Sequence, residues 1–194
     1  MATATEPIET TRLEAFSDGV IAVIITIMVL ELKAPAGSTL HDLREVLPHF
    51  LVYMLSFQIV GTYWNNHHHM LRATQRITGK IMWLNLLLLF CLSLIPFFAS
   101  WMGEHATSHV PVAAFGIILC AAAFSYFALQ HTIVAAQPKS AKIASAIGED
   151  YKGKLSGLGY FIAIPLAFVA PAIAYAIFVA LGLMWFIPDR RLAA

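Results

Sequence analysis

Charge is scarce in this chain of 194 residues. Asp, Glu, Lys and Arg together make up only 12% of it, about half the roughly 25% of a soluble domain. Hydrophobic residues fill 59%, against about 45–50% in soluble proteins. An ordinary soluble fold is therefore excluded, and an integral membrane protein in a lipid bilayer is indicated. The formal net charge of +1 argues against a nucleic-acid partner. The only two cysteines, Cys91 and Cys120, lie inside apolar runs, so they read as small buried hydrophobes and no disulfide is expected. The first twelve residues, MATATEPIETTR, lack the basic start and short apolar core of a cleaved signal peptide. Lipidation motifs, low-complexity segments and internal repeats are not found. A Walker A loop, a G-x-S-x-G elbow and an H-E-x-x-H zinc motif are all missing, and no enzymatic activity is expected. Paired carboxylates at mid-depth are missing too, and His131 near the end of a run is the nearest ionisable group to one. That argues against a proton-coupled transporter.

What is present is a series of apolar stretches, expected to form one domain over residues 1–194. The first four cover about 16–32, 49–70, 78–101 and 110–135. A last block, 155–187, is too long for one span of about 20 residues. Pro165 and Pro171 interrupt it, and a split near Pro171 gives two short helices. Loop charge supports the split. With six spans and an inside N-terminus, the inside set is Arg12, Arg72, Arg76, Lys80, Lys139, Lys142, Lys152, Lys154, Arg190 and Arg191, and the outside set is Lys33 and Arg44. Ten against two follows the positive-inside rule better than the eight against four of a five-span reading. The expected fold is all-α, with six transmembrane helices and both termini cytoplasmic. The segment 137–154 reads as a cytoplasmic connector.

The first span, within RLEAFSDGVIAVIITIMVLELK, is the most distinctive. Its apolar body from Gly19 to Leu30 is too short to cross a bilayer unless the turn carrying Ser17 and Asp18 also enters. At 100° per residue, Gly19, Val23, Thr26, Ile27 and Leu30 share an arc of about 100°. The other sides are aliphatic as well, which suits ordinary packing or a lipid-facing helix. The run is dense in β-branched residues that are stiff at χ1, which equally suits a constriction of fixed diameter. Thr26 can return its hydroxyl to a carbonyl one turn earlier. Ser17 or Asp18 can cap the helix, and Arg12 lies near enough in sequence to pair with Asp18.

A wider network is the alternative to capping. The second span ends in Trp64-Asn65-Asn66-His67-His68-His69, and the third contains Trp83 and Asn85. The topology puts these ends on one side of the membrane, so Asp18, one of the three histidines and Asn85 are expected to meet at one depth and satisfy one another. The triplet itself is no metal site, because consecutive helical residues point to different faces. His105 and His109 have the favoured i, i+4 spacing with Glu104 beside them, but they fall in a short outside loop, and no metal is expected. Gly157-Leu158-Gly159-Tyr160 is a poor match to a carbonyl filter, lacking a second glycine after the tyrosine.

These residues resemble a known family. Arg12-x-x-x-Phe16-Ser17-Asp18 looks like the signature opening the first helix of the transmembrane protein 175 potassium channels. The resemblance extends over the six-span plan, the His-rich end of the second span, and Trp83-x-Asn85 with Pro96-Phe97. It implies a homotetramer in which four first helices line a central pore. It also implies a restriction of aliphatic side chains at Val23, Ile27 and Leu30, with Thr26 matching a threonine layer. Arg12, Phe16, Ser17 and Asp18, with His67, His68, His69, Trp83 and Asn85, are then structural. The implied function is a potassium-permeable cation channel of modest selectivity, with permeant potassium and no cofactor, in a bacterial plasma membrane. A secondary transporter and a non-conducting scaffold are the alternatives. Whether Val23 or Leu30 is narrowest is left open, since some members carry a bulkier side chain at the first position.

Overall fold

The computed structural model describes residues 6–137 and 150–186. Lys139, Lys142, Ile187, Arg190 and Arg191, used above to place the loops, lie outside the described residues. Among the described residues, six α-helices follow one another: α1 Glu6–Met28, α2 Leu40–Arg72, α3 Gly79–Glu104, α4 His109–Ala136, α5 Tyr151–Val169 and α6 Pro171–Met184. A single 3-10 turn, Val29–Glu31, extends α1.

Capping sets several of the starts. Thr39 opens α2 through a reciprocal box. Its side chain accepts from the Asp42 N–H at 3.3 Å, and its own N–H donates to the Asp42 carboxylate at 2.8 Å. The Thr78 hydroxyl accepts from the Ile81 N–H to open α3, and the Asp150 carboxylate accepts from the Gly153 N–H to open α5. The split in the last apolar block falls at Ala170, which is extended (φ −156°, ψ 111°) as a residue before proline prefers. Proline has no N–H, so the Ala167 carbonyl loses the partner that residue 171 would supply. His109 Nδ1 lies 2.8 Å from that carbonyl and takes its place.

Among the described residues, four helices are long and apolar enough to cross a membrane: the first four. α6, with 14 residues, is only about 21 Å long, short of the roughly 30 Å hydrocarbon core. α2, with 33 residues, is about 50 Å long and outreaches that core. It starts nine residues before the apolar stretch read from the sequence.

α3, α4, α5 and α6 pack in succession, while α1 packs against α2 and α3. The packed interior includes Leu88, Leu92 and Ile95 of α3 with Phe115, Leu119 and Phe178. Phe115 and Phe178 meet edge to face, centroids 5.5 Å apart. Gly116 permits this approach, because a Cβ there would stand 3.3 Å from the Phe178 ring and 3.2 Å from Ile164. Cys91 and Cys120 are both free.

Candidate functional site: the first helix and its anchor

α1 begins at Glu6, so Ser17 and Asp18 sit three turns inside it and cap nothing. That corrects the capping reading. Hydropathy marks where the chain enters an apolar medium, whereas helix continues through any polar residues that do not break it. One stripe of α1 is buried: Ser17, Ile21, Ile24 and Met28. The opposite stripe is bare. Val23 is 54% exposed, Ile27 44% and Leu30 77%, and Thr26 lies beside them, also exposed. The Thr26 hydroxyl sits 3.0 Å from the carbonyls of both Ala22 and Val23, so its proton returns to the helix. Its oxygen can then offer only acceptor lone pairs outward. Phe16, Val23 and Ile27 share an open groove with Pro96 and Phe97 of α3.

The buried stripe is held by a directional hydrogen-bond chain. His67 and Asn85 are fully buried. His67 Nε2 lies 2.6 Å from Asn85 Oδ1, which can only accept, so the imidazole donates there. Asn85 Nδ2 donates to Ser17 Oγ at 2.9 Å, and Ser17 donates to the Leu13 carbonyl at 2.8 Å. This chain ties α2 and α3 to α1 through one relay. A second contact set lies beside it. The Trp64 indole N–H donates to Asp18 Oδ1 at 3.0 Å. His68 Nδ1 lies 3.0 Å from Glu14 Oε1 and 3.9 Å from Asp18 Oδ2. The Trp64 and His68 rings stack at 5.8 Å and 27°.

The expected meeting of Asp18 and Asn85 is thus divided. Asn85 reaches Ser17, while Asp18 takes Trp64 and His68. Arg12 is exposed and makes no ion pair with Asp18 among the described residues. Six residues on a helix are a 600° turn, which leaves the two side chains about 120° apart. Phe16 and Trp83 are exposed, Trp83 by 75%. His69 is exposed, and its ring stands edge to face with that of His68, centroids 5.7 Å apart. His105 and His109, the other spacing-matched pair, each face a carbonyl: Trp101 at 3.3 Å and Ala167 at 2.8 Å.

The sequence model of the family described as "Endosomal/lysosomal potassium channel TMEM175" matches residues 12–96, from the start of the signature to Pro96. A Chryseobacterium sp. (strain P1-3) protein named a potassium channel is 45% identical over 181 residues, covering 93% of this chain and 94% of its own. The chain belongs to the TMEM175 potassium channel family. A second relative, from Streptomyces collinus and also named a potassium channel, is 30% identical with 87% of each chain covered. The fold is that of the crystal structure of a lysosomal potassium-selective channel TMEM175 homolog from Chamaesiphon minutus. The TM-score is 0.81 at 24% identity, over 92% of this chain and 97% of that one. Membership makes the chain an integral membrane protein of a cation-channel family.

Within this TMEM175 chain, the matched region spans α1, α2 and most of α3, the three helices joined by the relay. Two members of the anchor escaped the sequence reading. Trp64 was noticed only as part of the polar run, and Glu14 not at all. The i, i+4 spacing of Glu14 and Asp18 was the available signal, since it puts both carboxylates on one face of α1.

Proposed function

We propose that this chain forms a homotetrameric, potassium-permeable channel whose four α1 helices line the pore. The observation that carries the reading is the division of α1 into a fastened stripe and a bare aliphatic one. With one side of α1 fixed by a buried polar relay, the uncovered Val23, Ile27 and Leu30 must meet either lipid or other copies of the chain, and the relatives named potassium channels favour the second. Around a tetramer axis these residues make successive aliphatic rings, with Thr26 supplying a ring of oxygen acceptors among them. Val23 and Ile27 are β-branched and stiff, which holds their rings at fixed diameter. Aliphatic rings cannot replace an ion's hydration as carbonyls do, so selectivity for potassium over sodium is modest and closure by dewetting is available. In this reading Ser17, Asp18, His67, His68 and Asn85 hold and orient the helix within the chain, the exposed Arg12, Phe16, His69 and Trp83 are left for contacts between subunits, and Val23 or Leu30 forms the narrowest layer. All six helices cross the bilayer, α5 and α6 as a short broken pair. The termini face the cytoplasm of a bacterial cell, potassium is the permeant ion, and no cofactor takes part.

Purified protein reconstituted in vesicles under a potassium gradient tests the proposal. The expected result is potassium flux above that of empty vesicles, with slower sodium flux. Flux no greater than in empty vesicles refutes the channel, and saturable, coupled flux indicates a transporter instead.

A further inference from the structure

Beside the relay lies a cluster that the channel reading uses only as an anchor. Glu14 and Asp18 are one turn apart on α1, and His68 faces them from α2. One donor atom of each lies within 4.8 Å of the other two. We propose that Glu14, Asp18 and His68 form a site for a divalent transition-metal ion, zinc being the best match, which fastens α1 to α2.

Three observations carry this. The first is spacing. Donors about 2.0–2.1 Å from a tetrahedral zinc stand roughly 3.3–3.4 Å from one another. His68 Nδ1 lies 3.0 Å from Glu14 Oε1 and 3.9 Å from Asp18 Oδ2, each within about half an ångström of that spacing, and the two carboxylates stand within 4.8 Å of each other. The second is an unanswered polar atom. His68 Nδ1 is shut off from solvent and makes no hydrogen bond of acceptable geometry, although it faces two carboxylates. In the Nδ1-unprotonated tautomer that metal ligation requires, the imidazole lone pair turns toward carboxylate oxygens, which is repulsive unless a cation stands between them. Like charges at i, i+4 on α1 add to the repulsion, and Arg12 makes no ion pair there among the described residues. A cation at the centre relieves both. The third is orientation by neighbours. The Trp64 N–H holds Asp18 Oδ1 and leaves Oδ2 for a ligand, and the Trp64 ring stacks on His68 and sets its plane. Such outer partners are the usual means of aiming metal ligands.

The donor set also selects the ion. One imidazole and two carboxylates with a partly exposed fourth position suit zinc and its neighbours. Calcium asks for six to eight oxygens and magnesium for an octahedral shell. The site lies on the anchored side of α1, away from the bare aliphatic face, and its occupancy does not depend on conduction.

Isothermal titration of zinc chloride into the detergent-solubilised protein tests it, with cobalt(II) absorption as the spectroscopic check. One zinc per chain is expected. Both Glu14→Gln and His68→Ala are expected to weaken it at least tenfold and to remove the cobalt band. Glu14→Gln is the gentler change, and its unfolding temperature without metal serves as the folding control. A His105→Ala/His109→Ala variant is expected to bind as the wild type does. Wild-type protein without saturable binding overturns the proposal, as do Glu14→Gln and His68→Ala variants that bind unchanged, or loss of binding only when His105 and His109 are removed.

Discussion

Replacing Asn85 with alanine cuts the relay at its centre, and its two ends respond differently. Asn85 and His67 are fully buried, and His67 Nδ1 has no hydrogen-bond partner among the described residues. Removing the amide takes away the 2.6 Å contact at Nε2 and leaves the imidazole without any bond in an apolar surrounding. An orphaned buried polar group costs about 1–3 kcal/mol. The Ser17 end is cheaper, because its hydroxyl keeps the Leu13 carbonyl at 2.8 Å. Only the amide bond is lost there, about 0.6 kcal/mol for an interhelical bond in a bilayer. The expected destabilisation of Asn85→Ala is therefore about 2–3 kcal/mol. It is measured by reversible unfolding in mixed micelles, followed by circular dichroism. His67→Ala alone strands the Asn85 carbonyl, but the double variant strands nothing, so the double is expected to be more stable than the sum of the singles by about 1 kcal/mol or more. A loss below about 0.5 kcal/mol for Asn85→Ala, or additivity within about 0.3 kcal/mol, refutes the argument that the relay fastens α1.

Leu30→Ala truncates the most exposed aliphatic side chain of the bare face and is expected to raise conductance and erode potassium-over-sodium selectivity in reconstituted vesicles; unchanged selectivity removes Leu30 from the filter. Trp64→Phe keeps the ring stack on His68 but deletes the N–H bonded to Asp18 at 3.0 Å. A loss of about 1 kcal/mol in the same unfolding assay is expected, since Asp18 is partly exposed; no loss means the bond contributes nothing. Gly116→Ala forces a methyl within 3.2 Å of Ile164 and 3.3 Å of Phe178. Overpacking of about 1–3 kcal/mol is expected there, while zinc binding by the α1–α2 cluster stays as in wild type.

Some of this was readable from residues alone. Pro171 forced the break at Ala170, because proline's fixed ring acts on its neighbour whatever the tertiary setting. The shared arc of Val23, Thr26, Ile27 and Leu30 followed from the helical repeat, and all four are exposed together. The start of α1 was misplaced by ten residues, since apolar content reports solvent preference and not helix. The histidine assignment was not readable at all. Three consecutive residues lie at 100° intervals, and only the packing of α2 sets their rotation. With Ile59, Val60, Met70 and Leu71 turned inward, His67 goes to the interior and His68 to the carboxylates of α1.

By itself, then, the amino-acid sequence determined a membrane-embedded helical chain and that Val23, Thr26, Ile27 and Leu30 share one face of its first helix, because hydropathy and helical periodicity are local properties. Which face is fastened, which histidine meets which partner, and that Asp18 belongs with Glu14 and His68 while Asn85 belongs with Ser17, were decided only by the tertiary structure. These depend on the relative rotation and depth of α1, α2 and α3, which no single segment specifies.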